Sequence, residues 1–136
     1  MYRFSRRTIV VAAFAPAVWL AIVSPAIAAE CNGKAVTHPG TSGNDRIFGT
    51  TGNDVISTFA GSDIVEPSAG NDTICGGADN DQLLGGAGAD WIDGGDGDDV
   101  IKGNDGADDL RGSEGYDGIN GGPGYRGADG AGGETL

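Results

Sequence analysis

From Gly40 onward the chain divides into ten consecutive nonapeptides without an insertion or deletion, starting at residues 40, 49, 58, 67, 76, 85, 94, 103, 112 and 121. The sixth position of the first nine is always Asp: Asp45, Asp54, Asp63, Asp72, Asp81, Asp90, Asp99, Asp108 and Asp117. The eighth is always a branched apolar residue: Ile47, Ile56, Val65, Ile74, Leu83, Ile92, Ile101, Leu110 and Ile119. The fourth is Gly in nine of the ten, with Asp79 the exception. A unit this short offers one apolar side chain and cannot bury it alone. Two unbroken columns at one period do not arise by chance, and they mark the chain as an array of equal units.

Composition sharpens this picture. The chain of 136 residues carries 20 acids against 8 bases and 27 glycines, all of them after residue 32. The first 28 residues hold Arg3, Arg6 and Arg7 and no acid, so the remainder has a net charge of -15. Low in large apolar residues and strongly charged, that remainder has the composition of a disordered chain. A phosphate backbone would be repelled by it, which excludes nucleic acid as a partner. A concentrated array of carboxylates attracts metal cations instead.

The pattern GGxGxDxUx, with U apolar, resembles the calcium-binding nonapeptide of the RTX, or hemolysin-type, family, and the resemblance covers residues 40–129. It implies an all-β fold, a parallel β-roll (β-solenoid) in which six residues form a loop, three form a strand, and two nonapeptides complete one coil. It also implies that the nine sixth-position aspartates are metal ligands. Calcium takes six to eight oxygen ligands, and Gly permits the turns through which carbonyls converge on it. Loops n and n+2 stack on one side of such a roll. Nine complete loops then offer up to about seven inter-loop Ca²⁺ sites, whose charge would nearly cancel the -15. With so thin a core, the calcium-free chain is expected to be largely disordered and to fold on binding the metal.

Departures from the pattern grade the loops. Nonapeptides six to nine keep Gly at positions one and four. Thr41 and Thr50 replace Gly at position two of the first two, a change expected to matter little. The third and fourth begin Thr58-Phe59 and Pro67-Ser68, which predicts altered turns and weaker sites. Asp79 either adds a ligand or distorts loop five. The tenth has Arg126 in place of the carboxylate and Ala128 in the apolar slot, which marks a terminal cap or a decayed repeat.

Residues 1–28 have the layout of an export signal: a basic start, an apolar run from Ile9 to Val23, and Ala26-Ile27-Ala28 before the expected cleavage. A permanent anchor is the alternative, since the apolar stretch is just long enough to span a bilayer if Pro16 and Pro25 are tolerated. Ser5-Arg6-Arg7-Thr8-Ile9 resembles the twin-arginine motif, and the general secretory route fits equally well. The expected product is secreted, with no stable membrane insertion once the leader is removed. Residues 29–39 then form an N-terminal cap and 130–136 a flexible tail. Cys31 and Cys75 are the only cysteines, and in an oxidising compartment they are expected to pair, clamping the cap over the end of the roll.

His38, the single histidine, reads as a loop residue with no nucleophile to serve. No enzyme is expected: the sixth-position aspartates are committed to metal, and about 11 residues between leader and first repeat leave no room for a catalytic domain. Phe48, Ile64, Leu84, Trp91 and Val100 fall at outward positions, as scattered surface hydrophobes or a partner surface. Two uses stay open beside plain calcium binding: an accessory module for a partner enzyme, or an adhesion module for a cell-surface or matrix component.

Overall fold

Residues 18 apart lie side by side throughout the repeat region, because each nonapeptide turns the chain half-way round and the second brings it back. The computed structural model describes residues 29–124 and 128–130; the leader assigned to residues 1–28 and all but the first residue of the tail lie outside the described residues. The strands in chain order are β1 (Glu30–Cys31), β2 (Lys34–Ala35), β3 (His38–Pro39), β4 (Arg46–Phe48), β5 (Val55–Ser57), β6 (Ile64–Glu66), β7 (Thr73–Ala78), β8 (Gln82–Ala87), β9 (Trp91–Asp96), β10 (Val100–Asp105), β11 (Asp109–Glu114), β12 (Gly118–Asn120) and β13 (Ala128–Gly130). They form a five-stranded sheet in the order β12-β10-β8-β6-β4 and a six-stranded sheet in the order β13-β11-β9-β7-β5-β3. Both are wholly parallel, so the fold is a β-solenoid of about five turns. Among the described residues no helix is long and apolar enough to cross a membrane.

Strands β7 to β11 run for six residues, where three were expected. Val100, Ile101 and Lys102 pair with Gln82, Leu83 and Leu84, then Asn104 and Asp105 pair with Gly86 and Ala87, skipping the first-position glycine. The cause is the strict period. Successive turns have equal length, so their backbones stay in step round the bend as well as along the strand.

Alternation along each short strand turns one residue inward. The eighth-position side chains from Ile56 to Ile119 make a single file of buried contacts between the two sheets, with Ile47 partly buried at its edge. Outward positions carry isolated pairs instead. Arg46 is bonded through Nη2 to both carboxylate oxygens of Glu66, at 3.0 and 2.9 Å, and lies over the Phe48 ring, while Arg111 lies over Trp91. Phe48 and Val100 are exposed, and Ile64, Leu84 and Trp91 are half-buried.

The first coil is closed by the segment before the repeats. β1 and β2 form an antiparallel hairpin whose two turn residues, Asn32 and Gly33, have φ of 51° and 71°, as a tight two-residue turn requires. Cys31 is buried and joined to Cys75 with Cα atoms 5.9 Å apart, and Lys34 Nζ donates to Thr73 Oγ1 at 2.7 Å. β3 then adds a strand to the sheet. His38, expected in a loop, lies in register with Ile56, at the position that carries the apolar residue in every complete repeat. Running the nonapeptide frame back one unit, from Cys31 to Pro39, would have placed it there. At the other end β13 pairs with β11, Ala128 beside Leu110, so the tenth repeat still supplies a strand.

Candidate metal centre

The aspartates at position six do not point to solvent. Asp45 is half-buried, and Asp54, Asp63, Asp72, Asp81, Asp90, Asp99, Asp108 and Asp117 are buried, none more than 5% exposed. A simple acidic surface is therefore excluded. The first link comes from the backbone: in Asp63, Asp72, Asp81, Asp90, Asp99, Asp108 and Asp117, Oδ1 accepts the amide N–H of the aspartate 18 residues earlier, at 2.6 to 3.0 Å. Each carboxylate thereby staples its own turn to the one beneath.

Oδ2 of these same seven aspartates is buried and has no hydrogen-bond partner. A buried carboxylate oxygen left unpaired costs more than a hydrogen bond gains, and a cation can offset that cost only where the space beside Oδ2 is open. Desolvation is visible in the acidities. Burial pushes Asp81 up to about 7 and Asp90 and Asp99 up to about 6, against the opposing effect of the Oδ1 hydrogen bond and with further upward pressure from neighbouring carboxylates. Asp72 is raised for the same reason.

Around Oδ2 the later loops leave a space that only glycine permits. A Cβ on Gly76, Gly85, Gly94 or Gly103 would fall under 3.0 Å from two oxygens at once: Oδ2 of the aspartate five residues on, and the carbonyl of the first-position glycine of the second loop above. The pairs are Asp81 with Gly94, Asp90 with Gly103, Asp99 with Gly112, and Asp108 with Gly121. The tenth nonapeptide, which lacks its own carboxylate, thus contributes a carbonyl to loop eight. Hard oxygen donors, one anionic and one from the backbone, converging on a gap at that range suit calcium. Among the described residues no three His, Cys, Asp or Glu side chains converge on a point, so a site built from side chains alone is not what these loops offer.

The earlier loops differ. Oδ2 of Asp45 accepts the Thr41 amide at 2.6 Å and its hydroxyl at 2.9 Å, and Oδ2 of Asp54 accepts the Thr50 amide at 2.7 Å and hydroxyl at 3.1 Å. The threonines expected to matter little are therefore the residues that satisfy these two carboxylates. In loop three, Thr58 is fully buried and its hydroxyl donates to the Gly76 carbonyl. In loop four, position one is the buried Pro67. Phe59 takes φ 72°, the left-handed region that Gly77 occupies one coil on, so the turn of loop three is kept at the expense of strain.

Asp79 changes the local backbone of loop five and leaves it in the stack. At position four, Gly88, Gly97, Gly106 and Gly115 have φ of 133° to 146°, and Asp79 takes φ 73° in their place without breaking the stack. Its Oδ2 accepts the Gly61 amide at 3.2 Å.

A second ladder was missed from the sequence. At position five, Oδ1 of Asn44, Asn53, Asn71, Asn80 and Asp98 accepts the amide N–H of the residue 18 further on, at 2.8 to 3.0 Å. Asn at four of the first five fifth positions was the available signal.

A family model described as the RTX calcium-binding nonapeptide repeat matches four stretches, residues 39–74, 76–110, 84–119 and 102–124, more than half of the chain. The protein belongs to that family of calcium-binding β-rolls. No curated protein and no solved structure matched. Calcium, when bound, supplies the positive charge that buried carboxylates lack. The chain's own part is to aim Oδ2 and a glycine carbonyl at one point and to keep that point free of side chains.

Proposed function

We propose that the protein is an exported, non-catalytic calcium-binding module. The leader is residues 1–28, the cap 29–39, the calcium-binding roll 40–129 and the tail 130–136. Its sixth-position aspartates hold several Ca²⁺ ions between stacked loops, and metal binding completes the folding of the roll. One observation carries this reading: buried, unpartnered Oδ2 atoms stand beside glycine carbonyls at gaps that any Cβ would fill. Without a cation, such a stack concentrates negative charge at strand spacing in a low-dielectric interior. With one, each site adds roughly 2.7 kcal/mol of stability when free calcium is 100-fold above its dissociation constant.

Calorimetric calcium titration of the secreted form, followed in parallel by far-UV circular dichroism, tests it. The expected result is uptake of several ions per chain together with a gain of β signal. A complete β spectrum in chelator that calcium leaves unchanged would rule out calcium-coupled folding, and absence of binding heat and of bound metal would rule out the calcium reading.

A further inference from the structure

We propose that the roll is divided by its own side chains into a first part that needs no metal and a second part that takes all the calcium. The division falls between loops four and five. This rests on the calcium reading above and assigns the ions to particular loops.

In loops one and two the carboxylate oxygen that would face a cation is already occupied by threonine donors, Thr41 and Thr50. Loops three and four close the gap by filling it. Position one is the place where a glycine leaves room for an ion, and here it carries the side chains of Thr58 and Pro67, both buried. The Thr58 hydroxyl also claims the Gly76 carbonyl, the oxygen that would complete this loop's site with Asp63. The first four loops are held by other means: the Cys31–Cys75 link, the β1–β2 hairpin and the Lys34 to Thr73 hydrogen bond.

Loops five to eight carry glycine at position one, an unpartnered Oδ2 and a facing glycine carbonyl. The number of complete sites is therefore four. Loop nine offers Gly112 and Asp117 as a fifth gap, where the three atoms nearest an added Cβ all belong to the Asp117 side chain. The seven unpartnered oxygens overcount the open gaps, because Asp63 and Asp72 sit in loops whose gaps are filled. A count of sixth-position aspartates, or of net charge, leads to about seven ions; the packing at position one leads to four or five.

Amide hydrogen exchange on the full secreted chain, in chelator and in calcium, tests the division. In chelator, residues 55–57 and 73–75 should be protected while 91–96, 100–105 and 109–114 exchange freely, and calcium should protect the second group. Uniform protection or uniform loss in chelator overturns it. Calcium stoichiometry of the wild type and of a Thr58→Gly/Pro67→Gly variant tests the plugs. Four or five ions are expected, rising by two in the variant. Seven ions in the wild type, or a folded variant with unchanged stoichiometry, overturns the division while leaving calcium binding intact, whereas failure to bind any calcium removes both.

Discussion

Asp54 and Asp99 occupy the same position of the same repeat, are equally buried, and each bonds its neighbouring turn, yet they answer the same electrostatic demand in opposite ways. Asp54 finds both donors inside the chain, the amide and hydroxyl of Thr50. In Asp99 the matching oxygen, Oδ2, finds no donor and faces the space over Gly94. The lesson is that a repeat's ligand column does not by itself make a metal site. The residue opposite the ligand decides, and here it changes from one end of the solenoid to the other.

Acid is the strongest lever on that contrast. Asp81, Asp90 and Asp99 have acidities raised by burial, so the folded, metal-free second part binds protons more tightly than the unfolded chain does. Its stability is then fully present below the usual carboxylate range and is lost as pH rises through about 6 to about 7. In chelator, far-UV circular dichroism should show more β signal at about pH 4 than at about pH 8, and calcium should restore the difference at the higher pH only. A metal-free spectrum that is most ordered at high pH would contradict the burial of these groups.

Cys75→Ser attacks the other part. Opening a link that spans 44 residues should cost about 4 kcal/mol in a denaturant melt of the calcium-loaded protein, with calcium stoichiometry unchanged. Loss of bound calcium on this substitution would show that the two parts are not separable.

Alanine at position four compares the first two loops with the later ones, since Gly61 and Gly70 already have positive φ. In Gly97 the backbone has φ 133° and a Cβ would strike the Asp79 carbonyl, whereas Gly52 has ordinary φ and only Thr50 Oγ1 nearby, at 3.6 Å. Gly97→Ala should cost about 2 kcal/mol in the same melt and Gly52→Ala less than about 0.5. Equal costs would mean that the turns are conformationally alike.

The smallest effect belongs to Thr50→Val, which removes the hydroxyl donor to Asp54 but keeps the amide. About 1 kcal/mol is expected, again at constant calcium stoichiometry. A gain of one bound ion would instead show that the threonine hydroxyl had been excluding calcium from that loop.

Much of the architecture was legible before any coordinates. The unbroken nine-residue period, taken with the two nonapeptides per coil that the family resemblance implies, puts residue i beside i + 18, and the eighth-position column became the file of buried side chains from Ile56 to Ile119. The pairing of Cys31 with Cys75 was also within reach, since no other cysteine was present. Strand length was not legible, because Gly-rich positions one to three look like turn and extend only because an identical turn lies alongside. His38 was misplaced for a related reason: isolated from the repeats by sequence, it is a strand residue only by pairing with β5.

The sequence by itself determined the period, the sheet register and the identity of the carboxylate column, since each is a property of residues at fixed spacing. Only the tertiary structure decided which carboxylates lack a partner. Oδ2 of Asp81 is five residues from Gly76 but 13 from Gly94, and the three meet at one point only after a full coil. Whether that point is open, bonded or filled depends on a single side chain at position one or two. Sequence alone does not reveal the consequence, because the oxygen it blocks or satisfies is brought there by the next turn of the roll.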